Sequence, residues 1–566
     1  MRYLSVFFLQ VFFLSSYALV LNQPYENDAP GLKVLKRSML EIPRTLDPQE
    51  AYDSQSGYFV SQIYEGLYHY PYLAKTFELQ PLLAKDLPKL KFLNKEGQEI
   101  LDIQQEAIDK TIYTIPIRSG VYYQPHPVFC KSNTLSDCKV KREMTASDFV
   151  YAFKRTRNKS VNSPILNLLS HHVVGYSEFL KNPQEINEIT GVRALDPYTL
   201  EITTYGYYAQ FIEWLAMYLL VPIPHEVDDY YQKLDDKRIW SQYSIGTGPF
   251  MFFNNQGYSR FSLLKNPNYR TVFFQPVEGA NPKYLMNQGR QLPIIDRVDY
   301  YLENESIPRW NKFLQAYYDF STIPSEALEK VVWMESNGKY RLSPELQKYK
   351  IQLNHTSNFN VSGIAFNMQD PLLGGNSEKA RLLRQAISIS FDYMEYINIF
   401  SNGYSKEAMG PIPTPLLKQE NIQGFNPYLF NQVNGKVYRK RIQEARALLA
   451  KAGYPNGIDP KTKHPLVLTL DVESTGKPFE KTIFGWYRKQ LFKLGIHLNV
   501  RENDINRMAY LQSKGLFQMS NFGWVADYPN TENFFMLFYS KNSKKMFNGP
   551  NISNFSNPEY DKLFEK

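Results

Sequence analysis

Apolar residues recur along this chain at two spacings, and the spacing changes at Gly, Pro and Asx signals. In "SGYFVSQIYEGLYHY" (56–70), Phe59, Val60, Ile63, Tyr64 and Leu67 keep helical spacing, with Ser56 as the candidate cap. "TASDFVYAFKRTRN" (145–158) predicts a second helix. Thr145 or Ser147 would cap it, Asp148 lies near its positive end and basic residues come late. "GLKVLKRSML" reads as a strand before a turn at Asp47-Pro48, "TIYTIPIRSGVYYQ" (111–124) alternates like a strand, and "IDRVDYYLE" (295–303) reads as another. "GVRALDPYTLEITT" predicts a hairpin around Asp196-Pro197. "IGTGPFMFFNNQGYSRFSLLKNPNYR" (245–270) predicts a glycine turn feeding two strands.

The later half alternates in type. "SEKARLLRQAISISFDYMEYINIF" (377–400) predicts one long helix, and "KRIQEARALLAKAGYPNGID" a helix closed by Gly453. "PLVLTLDVES", "PFEKTIFGWYRKQLFKLGI" and "HLNVREND" read strand, helix, strand. Strands alternating with helices of this length predict α/β lobes with largely parallel sheets.

Length changes the picture only by allowing two or three domains in 566 residues. Hydrophobic content of 43% with 21% charge excludes a disordered chain. The net charge is +8, yet Lys and Arg are scattered and form no stripe to track phosphates, so nucleic acid is excluded as a partner. The 42 Tyr and 37 Phe fit either a Tyr-rich core or a site that holds an organic ligand.

Arg2, the apolar run Leu4–Leu14 and Ser16-Tyr17-Ala18 have the form of a secretory leader over residues 1–18, too short to span a bilayer. No Cys follows it to carry a lipid. Export brings an oxidising compartment, so Cys130 and Cys138 in "FCKSNTLSDCKV" are expected to close a short disulfide loop; two separate thiols are the alternative.

Signatures of catalysis are missing. The chain has no His-Glu-x-x-His, Gly-x-Ser-x-Gly, Walker loop or Gly-x-Gly-x-x-Gly, and no catalytic residue, cofactor or metal is expected. The stretch "GWVADYPNTENFF" (523–535) instead sets one carboxylate, Asp527, among Trp524, Tyr528, Phe534 and Phe535. Such an acid needs water or a cationic partner.

Seven segments together resemble the bacterial extracellular solute-binding proteins of family 5, receptors of ABC importers. They are "TLDPQEAYDSQSGYFVSQIYEGL" (45–67), "TASDFVYAFKR" (145–155), "VRALDPYTLEI" (192–202), "IGTGPFMF" (245–252), "RLLRQAISISFDYMEYINIFSNGYSKEAMGPIP" (381–413), "EARALLAKAGYPNG" (444–457) and "FGWVADYPNTENF" (522–534). The resemblance implies a type II periplasmic-binding fold, two α/β lobes around a cleft. Residues 33–66 and 206–300 would form the first lobe, 67–205 a subdomain inserted in it, and 301–566 the second lobe. The cysteine loop would be an elaboration of the insert. Because the family usually continues some tens of residues further, the second lobe is expected to be C-terminally incomplete. Asn530 is neutral where relatives often carry an acid.

By the same resemblance, Asp527 would hold the α-ammonium group of an oligopeptide, with Trp524 and Tyr528 as its apolar wall. Tyr122 and Tyr123 would be further contacts where the insert meets the cleft, and Gly246 to Gly248 would shape the inter-lobe crossover. The implied protein is a periplasmic monomer that closes about a peptide by hinge motion and delivers it to the permease subunits in the inner membrane. A dipeptide, a murein peptide, a nickel chelate or another cationic small molecule are alternative ligands. From other classes, a chaperone-like binder of unfolded chains and an exported hydrolase are the alternatives.

Overall fold

The computed structural model describes residues 30–74, 77–101, 107–130, 140–233, 244–253, 259–276, 282–335, 340–355, 358–419 and 424–566. The leader over 1–18 and Cys138 lie outside these residues, and so does any pairing of Cys138 with Cys130.

The chain opens on β1 (Val34–Met39) and α1 (Ser54–Ile63). The cap of α1 is Asp53, whose Oδ1 accepts from the Ser56 N–H at 2.9 Å. Ser56 sits inside the first turn, and its hydroxyl accepts instead from the N–H groups of Arg44 and Thr45. The helix stops at Ile63, so Leu67 belongs to the following loop. A four-stranded sheet comes next: β2 (Lys89–Leu93), β3 (Lys110–Pro116), β4 (Val192–Asp196) and β5 (Thr199–Tyr205), in the order β2-β3-β5-β4 and antiparallel throughout. Both β3 and β5 bury every second residue, as the alternation requires. Across this sheet lie α2 (Ala146–Arg155) and α3 (Leu166–His172). The Thr145 N–H donates to Asp148 at 2.8 Å, a cap contact worth about 1 kcal/mol.

The chain then returns beside β1. β6 (Phe250–Phe253), β7 (Arg260–Lys265) and β8 (Arg297–Leu302) give the order β1-β8-β7-β6. Only β1 and β8 run parallel; the other pairs are antiparallel. Phe59 and Ile63 of α1 pack on Phe261 and Tyr300 of this sheet.

A third sheet is built later, from β9 (Asn360–Phe366), β10 (Val467–Glu473), β11 (His497–Asn503) and β12 (Met519–Val525) in the order β9-β12-β10-β11. β10 is parallel to both β11 and β12, and β9 is antiparallel to β12. The sheets are therefore mixed rather than largely parallel. Short hairpin and edge-strand returns put antiparallel neighbours beside the βαβ units. The segment 377–400 forms two helices, α4 (Glu378–Ser390) and α5 (Tyr393–Phe400), because Asp392 leaves the helix and caps the second through the Glu395 N–H at 3.1 Å. α6 (Ile442–Lys451), α7 (Pro478–Phe492) and α8 (Ile505–Lys514) complete this part. Its core joins Leu383, Ile387, Leu449, Leu468 and Leu470 with the aromatic rings of Phe391, Phe484 and Trp486.

Two of the sequence motifs meet in one buried cluster. Arg155 of α2 holds Asp47 through Nη1 at 3.0 Å and Nη2 at 2.6 Å, and Asp228 through Nε at 2.6 Å. It also donates to Gln49 at 2.9 Å, while Gln49 donates to the Ala152 carbonyl at 2.6 Å. The Asp-Pro turn is thus fastened to α2 by a guanidinium whose donors are met on both sides. Gly246 and Gly248 pack against the end of α1. A Cβ at either would stand 2.1 or 2.5 Å from the Ile63 carbonyl oxygen, and the Gly248 N–H donates to that oxygen at 2.8 Å. Only glycine allows two backbones to approach so closely.

Candidate functional site

Strand β12 carries "MSNFGWV", and its two edges are treated differently. Along one edge, β9 pairs with all seven residues from Met519 to Val525. On the other, β10 meets only Met519 and Ser520, opposite Leu470 and Asp471. Among the described residues, no strand covers Asn521 to Val525 on that side. A Cβ at Gly523 would meet nothing within 4 Å. This uncovered edge faces a cleft of about 660 Å³. Asn521, Phe522, Gly523 and Trp524 line one wall. Met508 and Tyr510 of α8 line another. Tyr52, Trp214 and the segment Asn162 to Leu168 close it from the first part of the chain.

Just past the strand, the chain turns so that Asp527 lies behind Tyr52 and Trp524. The Tyr52 hydroxyl donates to Asp527 Oδ2 at 2.9 Å, and Asn533 Nδ2 donates to the same oxygen at 3.1 Å. Asn533 Oδ1 accepts from the Asp527 N–H at 3.0 Å and from Trp524 Nε1 at 2.8 Å. One fully buried amide therefore sets both the carboxylate and the indole. The indole stands edge-on to Tyr52, with centroids 6.1 Å apart. Among the described residues no Lys, Arg or His lies within 4 Å of Asp527. Burial pushes its carboxyl up to about 6, and the hydrogen bonds from Asn533 and Tyr52 pull only partly the other way. A fringe of the side chain still reaches solvent. The group is thus an acid held in place by neutral donors, with no counter-ion of its own.

The other predicted residues fall in different places. Trp524 lines the cleft. Tyr528 is buried and packs edge-on against Trp214, centroids 5.6 Å apart, and its hydroxyl donates to Glu532. Its ring joins the first part's core rather than forming a wall beside Asp527. Tyr123 is wholly buried in the same core, near Arg142, and Tyr122 pairs with Glu143 and lies under Lys141; neither lines the cleft. Asn530, in place of an acid, caps the turn by accepting from the Glu532 N–H at 2.9 Å. The acid of this turn is Glu532, two positions later. It also accepts from Tyr208 at 3.4 Å, and burial raises its carboxyl.

Tyr52, Asn533 and Trp214 are the contributors that sequence reasoning missed. Tyr52 is in the quoted motif 45–67 and Asn533 in the motif 522–534, but nothing in a linear pattern says that a Tyr and an Asp 475 positions apart will touch.

Comparison with known proteins follows the same lines. A family model described as "Bacterial extracellular solute-binding proteins, family 5 Middle" matches residues 78–546. The chain is 22% identical to the probable deoxycholate-binding periplasmic protein YgiS of Escherichia coli (strain K12), over 93% of its own length and 80% of that protein. It is 23% identical to the periplasmic oligopeptide-binding protein OppA of Salmonella typhimurium, over 74% of its own length and 67% of that protein. Among solved structures, the dipeptide-binding protein from Pseudoalteromonas sp. SM9913 in complex with Met-Leu superposes with a TM-score of 0.66 at 18% identity. It covers 94% of this chain and 88% of that one.

Proposed function

This chain belongs to the bacterial extracellular solute-binding proteins, family 5, and we propose that it captures peptides in the cleft for an ABC importer. The observation that carries the reading is Asp527, an enclosed carboxylate with two neutral donors and no cation within 4 Å among the described residues. A peptide's α-ammonium group is the missing partner. At about 4 Å and an effective dielectric near 20, that pair is worth roughly 4 kcal/mol before desolvation is subtracted. The uncovered edge of β12 supports the same reading. An extended peptide bound along it is held through main-chain groups that every peptide has, which allows varied side chains.

In this reading the receptor is a periplasmic monomer, and membrane permease subunits receive its ligand. Residues 33–66 and 206–300 form the first lobe, 67–205 its inserted subdomain and 301–566 the second lobe. A Cys130–Cys138 bridge belongs to the same exported state. Trp524 is the apolar wall beside the ammonium group.

Calorimetry tests the reading. Tri-alanine should bind the wild type at least about tenfold more tightly than its N-acetylated form, and Asp527→Ala should remove that preference. If acetylation and the mutation both leave affinity unchanged, Asp527 is not the ammonium anchor. Native mass spectrometry of gently purified protein would give the mass of any retained ligand.

A further inference from the structure

A separate cavity of about 310 Å³ opens away from the cleft, where β1 and β8 begin and β7 ends. Three of its lining residues are cations, Lys33, Lys265 and Arg290, and one is an acid, Asp296. Backbone bonds fix the place. The Lys33 carbonyl accepts from the Asp296 N–H at 2.9 Å, and the Asp296 carbonyl accepts from the Lys265 N–H at 2.9 Å. The Asp296 carboxylate is turned to the main chain, where Oδ2 accepts from the Lys33 N–H at 2.9 Å. The Lys265 ammonium group donates to the Pro293 carbonyl at 3.3 Å, and Arg290 Nη1 donates to Asn287 Oδ1 at 2.8 Å. Both acceptors are neutral. Among the described residues no carboxylate stands within 4 Å of the charged group of Lys33, Lys265 or Arg290. Three cations against one carboxylate leave the wall net positive.

Large apolar side chains stand exposed beside these cations. Phe273 lies opposite Gln291, another lining residue, in the short antiparallel pair of Val272–Phe273 with Gln291–Leu292. Side chains directly opposite share a face, so Phe273, 52% exposed, projects on the face of Gln291. The turn Pro282–Asn287, whose last residue holds Arg290, carries Leu285 and the 81% exposed Met286. Leu32, next to Lys33, is exposed as well. Single exposed apolar residues need no explanation, but a group of them flanking a basic cavity marks an interaction surface. We propose that this face docks on an anionic membrane surface, with a lipid phosphate group in the basic cavity and Met286 and Phe273 seated at the headgroup level. Positive charge and exposed apolar side chains are the two contributions on which interfacial binding depends, and this face supplies both. The cavity is at the small end for a ligand site, which suits a single anionic headgroup. The net charge of +8 draws the protein toward the same surface at longer range. The inference does not depend on what the cleft binds. For an importer's receptor, docking of this kind keeps the loaded protein beside the membrane that holds its permease.

The test is co-sedimentation of the full chain with vesicles of phosphatidylcholine alone and of phosphatidylcholine mixed with phosphatidylglycerol. Binding to the mixed vesicles is expected to be at least about tenfold tighter and to weaken as salt is raised. Lys265→Met and Arg290→Met should each weaken it about fivefold. Met286→Ser should weaken it at least about threefold and leave the salt dependence unchanged. Lys436→Met removes an exposed cation elsewhere and should stay within about twofold of wild type. Equal binding to both kinds of vesicle, or wild-type binding by the Lys265 and Arg290 variants, overturns the proposal. So does binding that needs the cations but not Met286, which would be charge attraction without a docked face. Calorimetry with inorganic phosphate separates the two sources of the anion. If phosphate binds wild type and not Lys265→Met while neither kind of vesicle binds, the cavity takes a free anion and membrane docking is overturned. Arg290 and Met286 are exposed, so their variants test the face without disturbing the fold.

Discussion

The Tyr52 hydroxyl donates to Asp527 Oδ2 at 2.9 Å, joining residues 475 positions apart. Tyr52 lines the cleft itself, and Asp527 lies behind it. The phenol therefore supports the carboxylate while its ring covers it, edge-on to Trp524. The carboxylate also stiffens the phenol: burial and Asp527 together raise the Tyr52 hydroxyl well above its ordinary range, so it remains a donor. Tyr52→Phe keeps the ring and removes the donor. Loss of a hydrogen bond to a charged group is worth about 1.5–3 kcal/mol, so peptide affinity at pH 7 should fall roughly tenfold or more. Calorimetry on the variant checks this, and an unchanged dissociation constant would count against the arrangement.

The carboxyl of Asp527 is pushed by burial up to about 6 from an ordinary 3.8. The folded protein therefore holds this proton more tightly than the unfolded chain does. Unliganded stability should decline as pH rises from about 4 to 6, by up to about 3 kcal/mol, and stay level above that. Thermal unfolding of wild type against Asp527→Asn isolates this contribution, because the variant lacks the titration.

Ligand binding has the opposite pH trend. An ammonium group requires the ionised carboxylate, so affinity for a free-amino peptide should weaken about tenfold from pH 7 to pH 5, with one proton released on binding at the lower pH. The N-acetylated peptide should show no such slope. Calorimetry in buffers of different ionisation enthalpy measures the proton directly.

Asn533 is fully buried and serves three partners, the Asp527 carboxylate, the Asp527 N–H and Trp524 Nε1. Asn533→Leu fills the volume but leaves these groups without their partner. The expected loss is about 2–4 kcal/mol of stability, read from urea unfolding, together with a shift in the fluorescence of Trp524.

Arg155→Met should be more damaging than any change at the cleft. It leaves Asp47 and Asp228 buried without the guanidinium that spans them. Removing one partner of a buried ion pair costs about 3–5 kcal/mol. Urea unfolding checks the magnitude, and Lys154→Met, whose pairing with Glu188 leaves that carboxylate largely exposed, should change stability by less than about 1 kcal/mol.

Local chemistry made much of this protein legible in the sequence. Period-two and helical spacings located β3, β5, α1, α2 and α6, because burial on one face of an element repeats with the element's own geometry. Asp-Pro turns, the Gly453 stop and the Thr145 cap are decided by a few adjacent residues, and the isolated acid in "GWVADYPNTENFF" was visible for the same reason. Tertiary structure alone decided the rest. Strand direction in the mixed sheets depends on which distant strands become neighbours. The break at Asp392 was hidden because helical periodicity continues on both sides of it. Tyr528 and Tyr123 went to the core rather than the cleft because a Tyr reads alike in either setting. Asp527 reveals its partner Tyr52 only when segments hundreds of residues apart are folded together, since a charge's surroundings are set by distance in space and not by position along the chain.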